Sequence, residues 1–189
     1  MGSGKAFQNG PLREGYLPAP GTVRFERILP GPVERVWAYL TESDKRGKWL
    51  ASGKMELKAG GKVELFFLHA DLSSVDEEVP QKYKEHEKGS GFEGVITACD
   101  PPRRLSFAWG GEKEPSEVTF ELIPQGGDVL LILTHRRLDD RKAMLSVASG
   151  WHTHLDVLQN HLEGKASGGF WSRHAEFEKD YNERFPAGL

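Results

Sequence analysis

Apolar and polar residues alternate in several short runs along the chain, which is the pattern of β-strands with one buried face. A first strand is predicted at 22–29, where Val23 and Phe25 alternate with arginine and glutamate. Glycine, proline and aspartate, which favour turns, separate this run from the later ones. Further strands are predicted at 55–57, 63–67, 92–99, 105–109, 118–122 and 131–135.

Helices are predicted where apolar residues recur every three or four positions. Pro30-Gly31-Pro32 ends the first strand and a short helix follows it, while Thr41 and Asp44 resemble a capping box that starts a second short helix. Asp139 or Asp140 can cap a long helix after the last strand. The apolar stripe of this long helix consists of Met144, Ala148, Trp151, Leu155, Leu158 and Leu162.

This order of elements predicts an α+β protein, in which a curved antiparallel sheet of six or seven strands wraps around a long C-terminal helix. Only the helix at 140–163, about 36 Å long at 1.5 Å per residue, can cover the apolar face of the sheet. A space remains between them unless side chains fill it. We expect a flexible tail at 1–20, this domain at 21–164, and a helical extension at 165–189 packed on the same domain.

Composition fits one globular domain, since the 189 residues are 38% hydrophobic and 28% charged. The longest aliphatic run, Val129–Leu133, is far shorter than the ~20 residues of a membrane helix, and no signal peptide is visible. The net charge is −3 and no basic block occurs, so nucleic acid is not an expected partner. Cys99 has no second cysteine to pair with, which favours a cytoplasmic location.

Several short segments occur in an order that is similar to a known family. They are Val36-Trp37, Trp49-Leu50, Gly60-Gly61-Lys62, Asp100–Leu105, Phe107-Ala108-Trp109, Val118–Leu122, Leu131–His135, and Gly150-Trp151 followed by Leu155 and Leu158. Together they resemble the family of the carboxy-terminal domain of the activator of Hsp90 ATPase, within the START/Bet v 1-like (SRPBCC) helix-grip superfamily. The resemblance covers about residues 22–164.

The resemblance implies a helix-grip fold with a cavity between the sheet and the C-terminal helix. It also implies an Hsp90-type chaperone as a partner, by family resemblance only, and it supplies no invariant catalytic set to carry over. The chain departs from the family pattern in two places. The charged stretch 71–91 is longer than the usual turn, and a helix predicted at 170–185 extends past the usual end.

Candidate ligand-binding residues are the mostly aromatic and apolar side chains predicted to face the cavity. They are Trp37, Trp49, Phe67, Val95, Thr97, Phe107, Trp109, Phe120, Leu131, His135, Trp151 and Leu155. Singly, each aromatic residue fits an ordinary core; collectively, an aromatic cavity with a few polar groups is typical of small-ligand sites. His135 is the one weak catalytic candidate, and is either a satisfied strand-end histidine or a cavity group that binds a ligand carbonyl or moves protons.

Two further motifs are weaker. His152, His154 and His161 suggest a metal site, but residues two apart on a helix face different ways, so solvated histidines are the preferred interpretation. The pattern G-x-G-x-x-G at 89–94 precedes a strand rather than a helix, which does not fit dinucleotide binding. We therefore predict no metal and no cofactor.

Three functions remain open. The favoured one is a non-enzymatic protein that binds a small apolar or aromatic molecule. The second is a cyclase/aromatase-like enzyme that uses the same cavity and His135 for proton transfer. The third is a protein-interaction module, in which the helix at 170–185 or the charged stretch contacts a chaperone or a second copy, as in a homodimer.

Overall fold

The computed structural model describes residues 14–110 and 114–187, and within them a seven-stranded antiparallel sheet forms the body of the protein. The strands are β1 (Tyr16–Ala19), β2 (Thr22–Pro30), β3 (Lys62–Phe67), β4 (Ser90–Asp100), β5 (Arg104–Trp109), β6 (Ser116–Gln125) and β7 (Asp128–Arg136). Their order across the sheet is β1-β2-β7-β6-β5-β4-β3. The predicted α+β class, with a curved antiparallel sheet and a long C-terminal helix, is confirmed.

The helices are α1 (Val33–Thr41), α2 (Ser43–Arg46), α3 (Arg141–Leu162) and α4 (Phe170–Arg184), with short 3₁₀ turns at His69–Leu72 and Gln81–His86. Asp140 caps α3 as predicted, because its carboxylate accepts a hydrogen bond from the amide of Ala143 at 2.7 Å.

The predicted capping box at Thr41 is wrong. The Thr41 hydroxyl donates back to the carbonyl of Trp37 at 2.9 Å, because α1 extends through Thr41. Glu42 takes the N-cap position of α2, and its side chain makes no capping hydrogen bond. A threonine that still belongs to one helix cannot serve as the cap of the next.

The core lies between the concave face of the sheet and α3. Phe25, Leu133, Phe120 and Leu105 are neighbours across four strands, and each is at most 2% exposed. All six residues of the predicted α3 stripe are also buried. Burial of apolar surface on both layers stabilises the packing of the helix on the sheet.

The predicted inward orientation of Val95 and Thr97 is wrong. The register of β4 shifts between Ile96 and Ala98, which is the mark of a bulge, so Cys99, which packs against the core beyond it, does not share a face with Val95 and Thr97. Ile96 is 1% exposed and pairs with Phe107, whereas Val95 is 47% exposed. Thr97 is exposed as well.

Two boundaries also differ from the prediction. Tyr16–Ala19, expected to be part of a flexible tail, pairs with β2 as β1, while residues 1–13 lie outside the described part of the chain. The predicted hairpin strand at 55–57 pairs only irregularly with the edge of β3 that β4 leaves free: Met55 forms an isolated bridge with Val63, and the amide of Glu56 donates to the carbonyl of Lys62 at 2.9 Å. None of the helices in the described ranges has the length and apolarity needed to cross a bilayer.

Candidate functional site

A cavity of about 520 Å³ opens between the edge of the sheet and the first half of α3. The sheet contributes the aromatic rings of Phe67 from β3, Phe92 from β4 and Trp109 from β5. The helix contributes Val147 and Trp151. The interior therefore has room for a small molecule at this end of the helix.

A smaller chamber of about 220 Å³ adjoins this cavity. The two share parts of their walls, including His69, Gly150 and His154. The far wall of the chamber contains Tyr83 and Trp171, which come from the charged stretch and from α4. The charged stretch and α4, which are the two departures from the family pattern, thus meet at this end of the cavity.

The aromatic wall of the cavity is held by contacts among its own rings. Trp109 lies edge-to-face with Phe67 at 5.8 Å and with Phe92 at 5.0 Å, measured between ring centroids. The ring of Trp151 lies 5.0 Å from that of Trp109 across the gap between helix and sheet. Such ring pairs favour a fixed geometry, so the wall is formed without a ligand.

His135 lies in the cavity wall with both ring nitrogens engaged. The indole N–H of Trp151 donates to its Nδ1 at 3.0 Å, so the proton of the neutral ring is on Nε2 and is donated to the Ser116 hydroxyl at 2.7 Å. Ser116 in turn donates to the carbonyl of Trp109 at 3.0 Å. Burial lowers the pKa of His135 to about 3, which keeps the ring neutral. This geometry suits a positioning group and argues against proton transfer by His135.

His154 carries its proton on the other ring nitrogen from His135. Its Nδ1–H donates to the carbonyl of Trp49 at 2.7 Å, so Nε2 carries a lone pair. Burial, together with nearby His69, lowers the pKa of His154 to about 3. Burial also lowers the pKa of His69 to about 4, with smaller effects from His174 and His86. With His135, the cavity wall therefore contains three histidines that burial keeps neutral.

The preferred interpretation of the α3 histidines as solvated is wrong for two of them. His152 and His154 are 7% and 6% exposed, because the sheet covers one side of α3 and α4 covers another. His152 shares a hydrogen bond of 2.9 Å with the Tyr181 hydroxyl and lies 3.8 Å from the Asp156 carboxylate; His161 is half-buried. In the described ranges, no three histidine, cysteine or acidic side chains are grouped so as to hold a metal ion.

The structure distributes the predicted ligand-binding residues over three environments. Those in the cavity wall are Phe67, Trp109, His135 and Trp151. Those buried in the core outside the wall are Trp49, Phe107, Phe120, Leu131 and Leu155. Trp37 is half-buried on α1, and Val95 and Thr97 are exposed. A role in ligand binding stays a prediction for the four residues in the wall.

Sequence reasoning missed several wall residues. Val147, Gly150 and His154 recur at helical spacing beside the apolar stripe of α3, and this second stripe was a usable signal. Phe92 lies near the start of β4 on the same face as Ile96, whereas the predicted inward face was that of Val95 and Thr97. His69 lies in a 3₁₀ turn with no periodic pattern, so only packing shows its place.

The charged stretch and the C-terminal helix form one unit, which we call the cover (residues 68–89 and α4). The Glu77 carboxylate accepts hydrogen bonds from the amides of Trp171 at 2.9 Å and Ser172 at 3.1 Å, at the start of α4. A Cβ added at Gly169 would collide with this carboxylate, so a larger residue at that position would displace the Glu77 side chain. The cover therefore closes one end of the cavity through a specific contact.

An antiparallel sheet that curves around a long C-terminal helix, with a cavity between the two, defines a helix-grip protein. The chain belongs to the family described as activator of Hsp90 ATPase homolog 1-like protein, whose model matches residues 30–163. The resemblance seen in the sequence is thus confirmed. Helix α4 lies beyond the matched range.

Solved structures share this fold. The NMR structure of the protein encoded by gene BPP1335 from Bordetella parapertussis is 43% identical, with 95% of each chain covered and a TM-score of 0.78. CalU16 from Micromonospora echinospora is 24% identical, with 86% of each chain covered and a TM-score of 0.62. EF2215, a conserved protein of unknown function from Enterococcus faecalis, is 16% identical over 89% of this chain and 90% of its own, with a TM-score of 0.60. No curated protein matches the chain.

Proposed function

We propose that this protein binds a small apolar or aromatic molecule in the cavity between the sheet and α3. The volume of about 520 Å³ falls within the roughly 300–1,000 Å³ of small-molecule sites. Aromatic side chains form much of the wall, and histidines supply polar atoms. This combination of apolar surface with a few oriented polar groups is typical of ligand sites in proteins.

The observation that carries the proposal is the room beside Gly150. This glycine lies in the middle of α3, lines both chambers, and has no heavy atom within 4 Å of the position that a Cβ would take. Glycine inside a helix costs about 0.5–1 kcal/mol relative to alanine. Here the missing side chain leaves the cavity open, which gives the glycine a use in ligand binding.

Gly150→Phe and Gly150→Ala test the proposal as a matched pair. The fluorescent probe is N-phenyl-1-naphthylamine, a neutral aromatic molecule. We expect saturable binding to the unchanged protein and to Gly150→Ala, and a loss of affinity of about tenfold or more in Gly150→Phe, because the ring occupies the cavity. Thermal unfolding checks that both variants are folded. If a folded Gly150→Phe variant binds the probe as tightly as the unchanged protein does, the proposal is wrong.

Native mass spectrometry of the purified protein gives an independent measurement. A ligand that co-purifies should appear as an added mass with the unchanged protein and disappear with Gly150→Phe. An adduct that persists in Gly150→Phe would place the molecule outside the cavity and count against the proposal.

The other two functions have less support. Proton transfer in a cyclase-like enzyme was assigned to His135, whose two nitrogens are occupied by Trp151 and Ser116. An interaction module that uses α4 would present aromatic side chains to solvent, but Phe177 and Tyr181 are 7% and 1% exposed and pack on their own chain. Hsp90-type chaperone binding stays a prediction from the family.

A further inference from the structure

His154 offers a hydrogen-bond acceptor to the cavity. The proton of this ring is on Nδ1, because the partner of Nδ1 among the described residues is the carbonyl oxygen of Trp49 at 2.7 Å, and a carbonyl cannot donate. Its Nε2 therefore keeps a lone pair. None of the described residues donates a hydrogen bond to this atom, although the side chain is 6% exposed and lines both chambers.

His69 offers a donor close by. Its ring centroid lies 5.5 Å from that of His154, and it lines the same two chambers. Within the described part of the chain, neither of its nitrogens makes a hydrogen bond. A neutral imidazole has one N–H donor and one acceptor, and buried polar groups in proteins are normally satisfied. The pair thus leaves an acceptor and a donor open toward the cavity.

The walls contain no permanently charged side chain. No lysine, arginine, aspartate or glutamate among the described residues lines either chamber. An ionised ligand group would lose its hydration in such a site without gaining an opposite charge, which is costly. The polar group that fits is therefore neutral and able both to donate and to accept.

We propose that the cavity selects a flat aromatic molecule carrying a neutral hydroxyl group, which donates to Nε2 of His154 and accepts from a ring N–H of His69. This inference rests on the proposed function, because it names the class of ligand for the same cavity. The aromatic walls contact the faces and edges of the ring, and the two histidines orient the hydroxyl.

Three naphthalene derivatives of similar size separate this proposal from plain hydrophobic binding. They are 2-naphthol, 2-methylnaphthalene and 2-naphthoate, each measured at about pH 7 by displacement of N-phenyl-1-naphthylamine. We expect 2-naphthol to bind about fivefold to tenfold more tightly than 2-methylnaphthalene, although the methyl compound is more apolar, because a methyl group leaves both histidines without a partner. The carboxylate should bind most weakly of the three.

His154→Asn removes the acceptor while its amide can still donate to the Trp49 carbonyl. We expect the preference for 2-naphthol over 2-methylnaphthalene to shrink to within about twofold. The matched control is His161→Asn, the same substitution on the same helix, at a residue that lines neither chamber. It should leave the preference intact.

His69→Phe provides a second variant if His154→Asn does not fold. It keeps a ring in the wall but removes the donor, so the preference for 2-naphthol should fall here as well. If all three compounds displace the probe with equal affinities, or if folded variants keep the preference, the hydroxyl inference is overturned while the cavity remains a binding site. If none of them displaces the probe and Gly150→Phe has no effect on the probe, the proposed function itself is overturned.

Discussion

At the scale of single residues, the cavity depends on histidines that are kept neutral by burial. His135 and His154 are 0% and 6% exposed, and burial lowers the pKa of each to about 3. In the unfolded chain, the pKa of a histidine is about 6.5. Each neutral ring then has a definite donor and a definite acceptor, and this makes the hydrogen bonds around the cavity directional.

The same histidines predict a dependence of stability on pH. Below about pH 6.5 the unfolded chain binds protons that the folded protein does not, so the free energy of unfolding falls as the pH is lowered from about 6.5 toward 3. His135 and His154 each contribute about 1.4 kcal/mol per pH unit within this window. Urea unfolding at pH 7.5, 6.5 and 5.5 measures the slope.

His154→Asn should make the dependence of the free energy of unfolding on pH shallower. The control is His86→Gln, at an exposed position, which should show a slope close to that of the unchanged protein. A free energy of unfolding that stays constant from pH 7.5 to 5.5 would contradict the assignment of these histidines as buried and neutral.

At the scale of elements, the cover is held together by contacts between its two parts. The Glu77 carboxylate accepts hydrogen bonds from the amides of Trp171 and Ser172 at the start of α4, where the partial positive charge of the helix N-terminus favours a carboxylate. Further along, Lys82 lies 2.6 Å from the Glu178 carboxylate, and the ring of Tyr83 stacks on that of Trp171 at 4.8 Å. The long charged stretch is thus the partner of the helix that follows the family domain.

Glu77→Gln should loosen the start of α4, because the amide lacks the charge that the helix N-terminus favours. Amide hydrogen exchange at 170–174 is expected to accelerate about fivefold to tenfold, which corresponds to about 1 kcal/mol. Glu78→Gln is the control, since the neighbouring Glu78 side chain is 89% exposed. Unchanged exchange at 170–174 in Glu77→Gln would mean that this contact does not hold the cover.

At the scale of the whole molecule, α4 is part of the core rather than an appendage. Phe177 stacks on His152 with 3.6 Å between ring centroids, and the Tyr181 hydroxyl accepts a hydrogen bond from the amide of Gly15 at 2.7 Å. Arg141 donates to the carbonyls of Phe185 and Pro186 at the other end of α4. Helix α4 therefore contacts both the residue before β1 and helix α3.

Phe177→Ala should lower the free energy of unfolding by about 3 kcal/mol without changing the oligomeric state, because it empties a buried ring site. Chemical unfolding measures the first quantity and light scattering the second. The control is Glu176→Ala, at a position in the same helix whose side chain is 59% exposed. A change of oligomeric mass in Phe177→Ala would instead identify α4 as an interface between copies.

Much of the fold was predictable because its signals are local. The six-residue stripe of α3 and the alternation in β2 and β5–β7 follow from helix and strand periodicity, which neighbouring residues set. The inward face of β4 could not be inferred from Cys99, because the bulge between Ile96 and Ala98 puts Cys99 out of phase with Phe92 and Ile96 and leaves no signal in the sequence. The strand at Tyr16–Ala19 was not predictable either, because it forms by pairing with β2 and has no alternating pattern of its own.

The amino-acid sequence by itself determined the class of fold, the family and most of the residues that face the core. Only the tertiary structure decided which side chains surround the cavity, that both ring nitrogens of His135 are hydrogen-bonded, and that Nε2 of His154, a residue of the cavity wall, has no protein partner among the described residues. The reason is physical. Periodicity depends on neighbours along the chain, whereas empty space and open hydrogen-bonding atoms depend on how distant segments such as His69, β4 and α3 pack together.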